Sequence, residues 1–362
     1  MDIFKKYIAD SKNYVGGKSA EEVGGGRKMH KMSSNENAFG ISPKAVAAAK
    51  DAAEKLYIYP DGTPKRLAAA IAESYDNQIE ASQVIISDSG SSVIEIITRG
   101  LLHEGDEYIV TNPTFQLYRI LGIKMGAKQV DVRLEGDDFK LNVQGILDAI
   151  TDRTRIIYIT NPNNPTGTIF PESQLDELFD ALPDHLVVVH DEVYEKFVES
   201  PTYSKALKWI LQGKNIIGLN SFSKMYGMAG MRLGYGYTTP VLAEYFTKLT
   251  KPFSTNRIAL EAGIAAVKDT EFLQKSVEHV HRAKKYLYNE LDRIGVKYWK
   301  TEANFILIKT ENSPTELEEF MVTKGIMVRP VNYFGADGCT RVTIGLDDAN
   351  EAFIAALEEF VQ

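Results

Sequence analysis

The sequence predicts an α/β fold: a large three-layer domain with a mostly parallel seven-stranded sheet, plus a smaller α+β domain. Three observations carry this expectation. Short β-branched runs alternate with longer helical patterns through the middle of the chain. Those runs are apolar along their whole length, as strands covered on both faces are. Past about residue 255 the rhythm changes to one long helical segment followed by short strands and helices.

VIIS (84–87), EYIV (107–110), RIIYIT (155–160), LVVVH (186–190) and NIIGLN (215–220) read as buried parallel strands, and QVDV (129–132) and LGYGY (233–237) would add two more to a mostly parallel sheet. SSVIEIITRGLL (91–102) and SQLDELFDAL (173–182) have the pattern of crossover helices. The smaller domain takes a long helix near 270–294, NFILIK (304–309), a helix near 315–325, RVTIG (341–345) and a last helix. Residues 36–254 then form the large domain, and 1–35 with 255–362 the small one. GGG at 24–26 follows no strand and is expected to be a flexible loop.

Composition narrows the function classes. A formal net charge of -8 in 362 residues argues against a nucleic-acid surface. No run approaches the roughly 20 apolar residues of a membrane span, and MDIFKKYIADSK has no signal-peptide core. The single cysteine, Cys339, suits a reducing cytoplasm. The six histidines show no metal-ligand spacing, so no metal is expected.

In open α/β sheets, ligands bind beyond the carboxyl ends of the strands. VIIS is followed by small residues opening a helix, where Ser91 and Ser92 suit either a phosphate or a plain N-cap. RIIYIT is followed by NPNNPTG, a rigid turn that presents the amides of Asn163 and Asn164. LVVVH is followed by Asp191, a carboxylate at the end of a valine run that needs either a ligand cation or an internal ion pair. Tyr194, three residues on, is within reach of the same ligand. NIIGLN is followed by SFSK, where Ser221 and Ser223 offer hydroxyls and Lys224 an amine, with Arg232 eight residues on. No Asp or Glu occurs between Ser200 and Ala243, although five cations do. Burial and neighbouring cations lower a lysine's pKa, so Lys224 is expected to be a candidate nucleophile. One cofactor answers every group named, pyridoxal phosphate, with its phosphate, ring nitrogen, phenolic oxygen and aldehyde.

These residues also resemble the fold-type I pyridoxal-phosphate aminotransferases, and within them the histidinol-phosphate aminotransferase branch. The resemblance spans nearly the whole chain, through NYVGGKSAEEV, SSNENAFG, YIYPDG, NPTFQLY, NPNNPTG, DEVY, SFSKMYGMAGMRLGYGY, VRP and TRVTIG in the family's order. It implies that Lys224 joins the cofactor aldehyde and moves the proton at the substrate's Cα. It implies that Asp191 meets the ring nitrogen, that Asn164 and Tyr194 bond the ring hydroxyl, and that Phe115 stacks on the ring. Ser91, Ser92, Ser221, Ser223 and Arg232 fall on phosphate-holding positions. Tyr59 matches the tyrosine that reaches the phosphate in a neighbouring subunit, which implies a homodimer with shared sites. Arg341 falls on the position gripping the substrate carboxylate, and Tyr14 and Arg329 fall near a distal substrate phosphate. Asn35 is expected at the entrance.

The implied activity is ping-pong amino transfer between histidinol phosphate and 2-oxoglutarate, in histidine biosynthesis. The alternatives are an aromatic or broad-range aminotransferase, a decarboxylase or lyase, and a non-catalytic ligand sensor. Ala38 stands where the family commonly has proline, and Ile58 where it commonly has arginine. Met225, Met228 and Met231 suggest an adaptable, Met-rich wall to the substrate pocket. His190 should point to the opposite face of its strand from Asp191, into the core.

Overall fold

The computed structural model describes residues 3–9, 11 and 19–362; Tyr14 lies outside the described residues. The main sheet has strands β1 (Val84–Ser87), β2 (Glu107–Asn112), β3 (Lys128–Arg133), β4 (Thr154–Thr160), β5 (Val187–Asp191), β6 (Ile216–Ser221) and β7 (Gly234–Tyr237). Their spatial order is β1-β7-β6-β5-β4-β2-β3. Each lies within a residue or two of its expected place.

The sheet is mostly parallel, as expected, and one strand departs from the common direction. β7 runs antiparallel to both β6 and β1. A parallel return needs a crossover of a dozen or more residues, usually a helix. Residues 222–233, between β6 and β7, form turns and a single 3-10 turn at Ala229–Met231, so the chain re-enters the sheet from the edge it left.

The β-branched runs are apolar throughout because both faces are covered. Ile157, Ile159 and Val188 join the core on one side of the sheet, while Ile156, Tyr158, Val187 and Val189 join the core on the other. Successive strand side chains point to opposite faces, so each strand feeds both layers. His190 is fully buried on the first side, edge-on to Phe179 and Trp209, as expected from its offset from Asp191.

After β1 comes helix α1 (Gly90–Leu101), capped by Ser89, whose hydroxyl accepts the Ser92 amide. The start of β7 lies directly against this helix start: a Cβ on Gly234 would sit 2.1 Å from the Gly90 nitrogen. Only a glycine allows that approach.

A second, antiparallel sheet holds β8 (Lys297–Trp299), β9 (Phe305–Lys309), β10 (Arg329–Pro330) and β11 (Cys339–Thr343) in the order β10-β11-β9-β8. The N-terminal segment joins this side of the protein, because His30–Lys31 pairs in parallel with Ile326–Met327. Helix Arg257–Val267 packs on helices Pro43–Ala53 and Lys65–Glu73. The glycines at 24–26 are more ordered than expected: Gly24 ends helix Ala20–Gly24, and Gly25 is its left-handed C-cap. Among the described residues no helix is long and apolar enough to cross a membrane.

Gly234→Ala forces β7 off the start of α1. We expect it to lower stability by about 1–3 kcal/mol in denaturant unfolding. Gly230→Ala, where a new Cβ meets nothing within 4 Å, is expected to change little.

Candidate active site

The carboxyl ends of β4, β5, β6 and β1 lie at one edge of the main sheet, and a cavity of about 300 Å³ opens there. Its walls include Asn35, Ser91, Phe115, Asn164, Asp191, Tyr194, Ser221, Ser223, Lys224, Arg232, Arg329 and Arg341. Most of the residues singled out by sequence thus converge on one space, although they come from both sheets and the N-terminal segment.

Lys224 follows β6 in a tight turn closed by the Ser221 hydroxyl, which accepts the Ser223 amide at 3.1 Å. Its Nζ donates to the Ser34 carbonyl at 2.8 Å. Burial brings the amine down to about 7, with the Arg341 guanidinium pushing the same way. The acid-free stretch seen in the sequence does not carry over into space. Glu36 and Asp191, from other parts of the chain, both favour the charged amine, but less strongly than burial disfavours it. Lys205, Lys208 and Lys214 are paired elsewhere, with Glu195, with Glu172 and Asp176, and with Asp180.

Asp191 ends β5 and is 4% exposed. Two neutral donors hold it: the Tyr118 hydroxyl at 2.6 Å on Oδ2 and the Val193 amide at 3.3 Å on Oδ1. Burial still pushes its carboxyl up to about 6. The Tyr194 hydroxyl accepts from Asn35 Nδ2 at 2.9 Å, and burial raises it to about 12. Arg341 donates to Asn164 Oδ1 at 2.5 Å and to the Ser33 carbonyl at 2.9 Å. Arg329 lies opposite Arg341 in the register of β10 and β11, which puts both side chains on one face, and it donates to the Tyr333 hydroxyl.

Several residues stand differently from expectation. Asn35 is not at an entrance: it is 1% exposed, with its amide nitrogen bonded to Thr343, in a left-handed conformation at φ 57°. Ser92 does not line the cavity and instead closes the α1 cap through the Ser89 hydroxyl at 2.9 Å. Asn163 is structural, donating to the Pro113 carbonyl and Thr166 inside the turn. Tyr59 is 78% exposed, against Phe253, and is absent from this chain's own cavity. None of the three methionines lines the cavity; Met225 and Met228 are core residues and Met231 packs beside them. A Met-rich substrate wall is therefore not what this segment builds.

Sequence reasoning also missed contributors. Ser33 and Ser34 act through backbone carbonyls, which no side-chain pattern reveals. Tyr118 follows Phe115 by three residues, but Phe115 precedes the helix that begins at Leu117, so helical spacing does not join them.

The donor set fits pyridoxal phosphate. Asp191 is a buried carboxylate held only part-way by neutral donors, suited to a cationic ring nitrogen. Lys224 supplies an amine able to shed its proton near neutrality. Ser91, Ser221, Ser223, Arg232 and the amides of the α1 start surround a place for an anion.

Comparison with known proteins agrees with this geometry. The family model for aminotransferase class I and II matches residues 27–357. A histidinol-phosphate aminotransferase of Moorella thermoacetica is 36% identical over 99% of this chain and 92% of its own length. A second, from Carboxydothermus hydrogenoformans, is 35% identical over 98% of each chain. The fold superposes on a histidinol-phosphate aminotransferase from Sinorhizobium meliloti, crystallised with pyridoxal-5'-phosphate, at a TM-score of 0.89 and 24% identity, covering 100% of this chain and 98% of that one.

Without cofactor, Lys224 should react with an amine-directed reagent as its neutral form appears, with a midpoint near pH 7, and Lys224→Ala should remove that phase. Arg341→Met takes away a neighbouring positive charge and should move the midpoint upward. A midpoint near the ordinary lysine value of ~10.4 in the unaltered protein would contradict the desolvated amine.

Proposed function

The chain belongs to the class I and II aminotransferase family, and from that premise we propose that it moves an amino group between histidinol phosphate and 2-oxoglutarate. The observation that carries the donor assignment is the pair Arg329 and Arg341, at facing positions of β10 and β11 in the cavity that holds Lys224. In the oxo-acid half-reaction one guanidinium serves the carboxylate on the reacting carbon of 2-oxoglutarate. Histidinol phosphate has no carboxylate on that carbon, and the same pair of arginines suits its phosphate instead.

Bound in the cavity, pyridoxal phosphate supplies an aldehyde that takes up the amine and a ring that withdraws electrons from the reacting carbon. Every other part is played by this chain. Lys224, neutral for much of its population near pH 7, would supply through Nζ the amine that the aldehyde takes up with loss of water, and would carry the proton to and from the substrate's Cα. Asp191 would meet the ring nitrogen, Asn164 and Tyr194 would orient the ring hydroxyl, and Phe115 would cover a ring face. Ser91, Ser221, Ser223 and Arg232 would hold the phosphate, while Ser92 fixes the helix cap beside it. Asn35 keeps the Tyr194 hydroxyl in place. Tyr14 is assigned to the distal phosphate with Arg329.

The exposed run Leu56, Tyr57, Ile58 and Tyr59, next to Phe253, supports a homodimer in which Tyr59 of one copy serves the cavity of the other. We also propose that residues 36–254 form the cofactor-holding unit and that 1–35 with 255–362 form the substrate-gripping one. Helix Arg257–Val267 of the second unit packs on Pro43–Ala53 of the first and ties the two together.

An amino-donor panel with 2-oxoglutarate tests the substrate. Histidinol phosphate should exceed phenylalanine, tyrosine and aspartate in kcat/KM by at least about 100-fold. Arg329→Leu should lower that value for histidinol phosphate by about 10- to 100-fold and leave unphosphorylated histidinol almost unchanged. A panel led by phenylalanine or tyrosine would overturn the donor assignment in favour of an aromatic aminotransferase. Light scattering should return twice the mass of one chain, and Tyr59→Ala should weaken cofactor retention without unfolding the protein.

A further inference from the structure

Tyr118 is fully buried, one residue into helix Leu117–Lys124, and its hydroxyl lies between two groups. It is 2.6 Å from Asp191 Oδ2 and 2.8 Å from Thr160 Oγ1. An ionised carboxylate only accepts, so the Tyr118 hydroxyl donates to Asp191, and Thr160 donates to Tyr118. Thr160 lines the cavity and meets the Thr114 hydroxyl at 3.2 Å, so the chain of hydroxyls runs on toward the NPNNPTG turn. The phenol ring cannot drift. It stacks on Tyr158 at 4.4 Å and 12°, and Tyr158 is itself bonded to Thr98 at 2.8 Å. Its other side meets the edge of Phe115 at 5.8 Å. One side chain therefore touches both the group assigned to the ring's face and the group assigned to its nitrogen.

Resting on the reading of the site as a pyridoxal-phosphate cavity, we propose that Tyr118 is a positioning residue that keeps Asp191 ionised and so holds the proton on the cofactor's ring nitrogen. Two buried bases share one proton, and it goes to the stronger. Burial strengthens Asp191 as a base, while the Tyr118 hydrogen bond is the foremost influence weakening it, ahead of the Val193 amide and His190. Glu192, the neighbouring acid, acts the other way. Burial holds the Tyr118 phenol far above its ordinary range, so it remains a donor at every pH at which the protein works. Loss of the hydroxyl leaves Asp191 with one donor fewer and the stronger claim on the proton.

The test is the 15N resonance of ring-labelled pyridoxal phosphate bound to the full chain, with cofactor affinity measured alongside. In the unaltered protein the nitrogen should be protonated. In Tyr118→Phe, which keeps the stacking, the ratio of protonated to unprotonated nitrogen should fall by about 10- to 100-fold, moving the resonance toward neutral pyridine. Thr160→Val leaves Tyr118 in place but removes the hydrogen bond donated to it, and should shift the resonance in the same direction by less. It keeps the test decisive if Tyr118→Phe does not fold. An unmoved resonance in a folded variant overturns the inference and leaves the functional reading intact. Failure of the unaltered protein to bind pyridoxal phosphate overturns that reading, and the inference with it.

Discussion

The cavity depends on a single stretch of backbone, residues 33–37, whose polar groups satisfy partners from both sheets. The Ser33 carbonyl accepts from Arg341 of the small sheet, and the Ser34 carbonyl accepts from Lys224 beyond the main one. The Asn35 and Glu36 carbonyls accept from Asn304, and the Asn37 side chain donates to the Met225 carbonyl. Successive carbonyls reach partners on different sides because Asn35 takes a left-handed conformation, which asparagine tolerates better than most residues. The strap satisfies buried donors that would otherwise be costly to leave unpaired, and it packs over one side of the half-buried Lys224.

That covering sets the electrostatics. An amine near neutrality and a carboxyl raised to about 6 share one enclosure. Each is shifted toward its uncharged form by the same cause, burial. Asp191 favours the charged amine, and here burial outweighs it. An aminotransferase needs this compromise: a lysine free to lose its proton beside an aspartate still able to face a cation.

The antiparallel β7 solves a second problem of placement. An anion cradle needs residues from several strand ends, but a parallel strand begins at the far edge of its sheet. Because β7 enters from the near edge, Arg232, two residues before it, arrives where β1 and β6 end. Gly234 then lets the strand lie against the start of α1, closing the space between helix and arginine.

The α/β class, the seven strands and the convergence of Asp191, Asn164, Tyr194 and Lys224 were legible in the sequence. Strand burial writes itself as apolar runs, and α/β topology puts the next residue of each strand at a common edge. The direction of β7 was not legible, because strand periodicity is the same either way. Nor were the acids facing Lys224, since nearness along the chain says little about nearness across a fold. The methionines illustrate the same limit: adjacent to the lysine in sequence, they point into the core, while Ser33 and Ser34, some 190 residues away, hold the site with atoms every residue possesses. The amino-acid sequence by itself determined which chemical groups stand at the strand ends. Only the tertiary structure decided which of them are desolvated together, because burial and electrostatic neighbourhood belong to the packed arrangement and not to any stretch of chain.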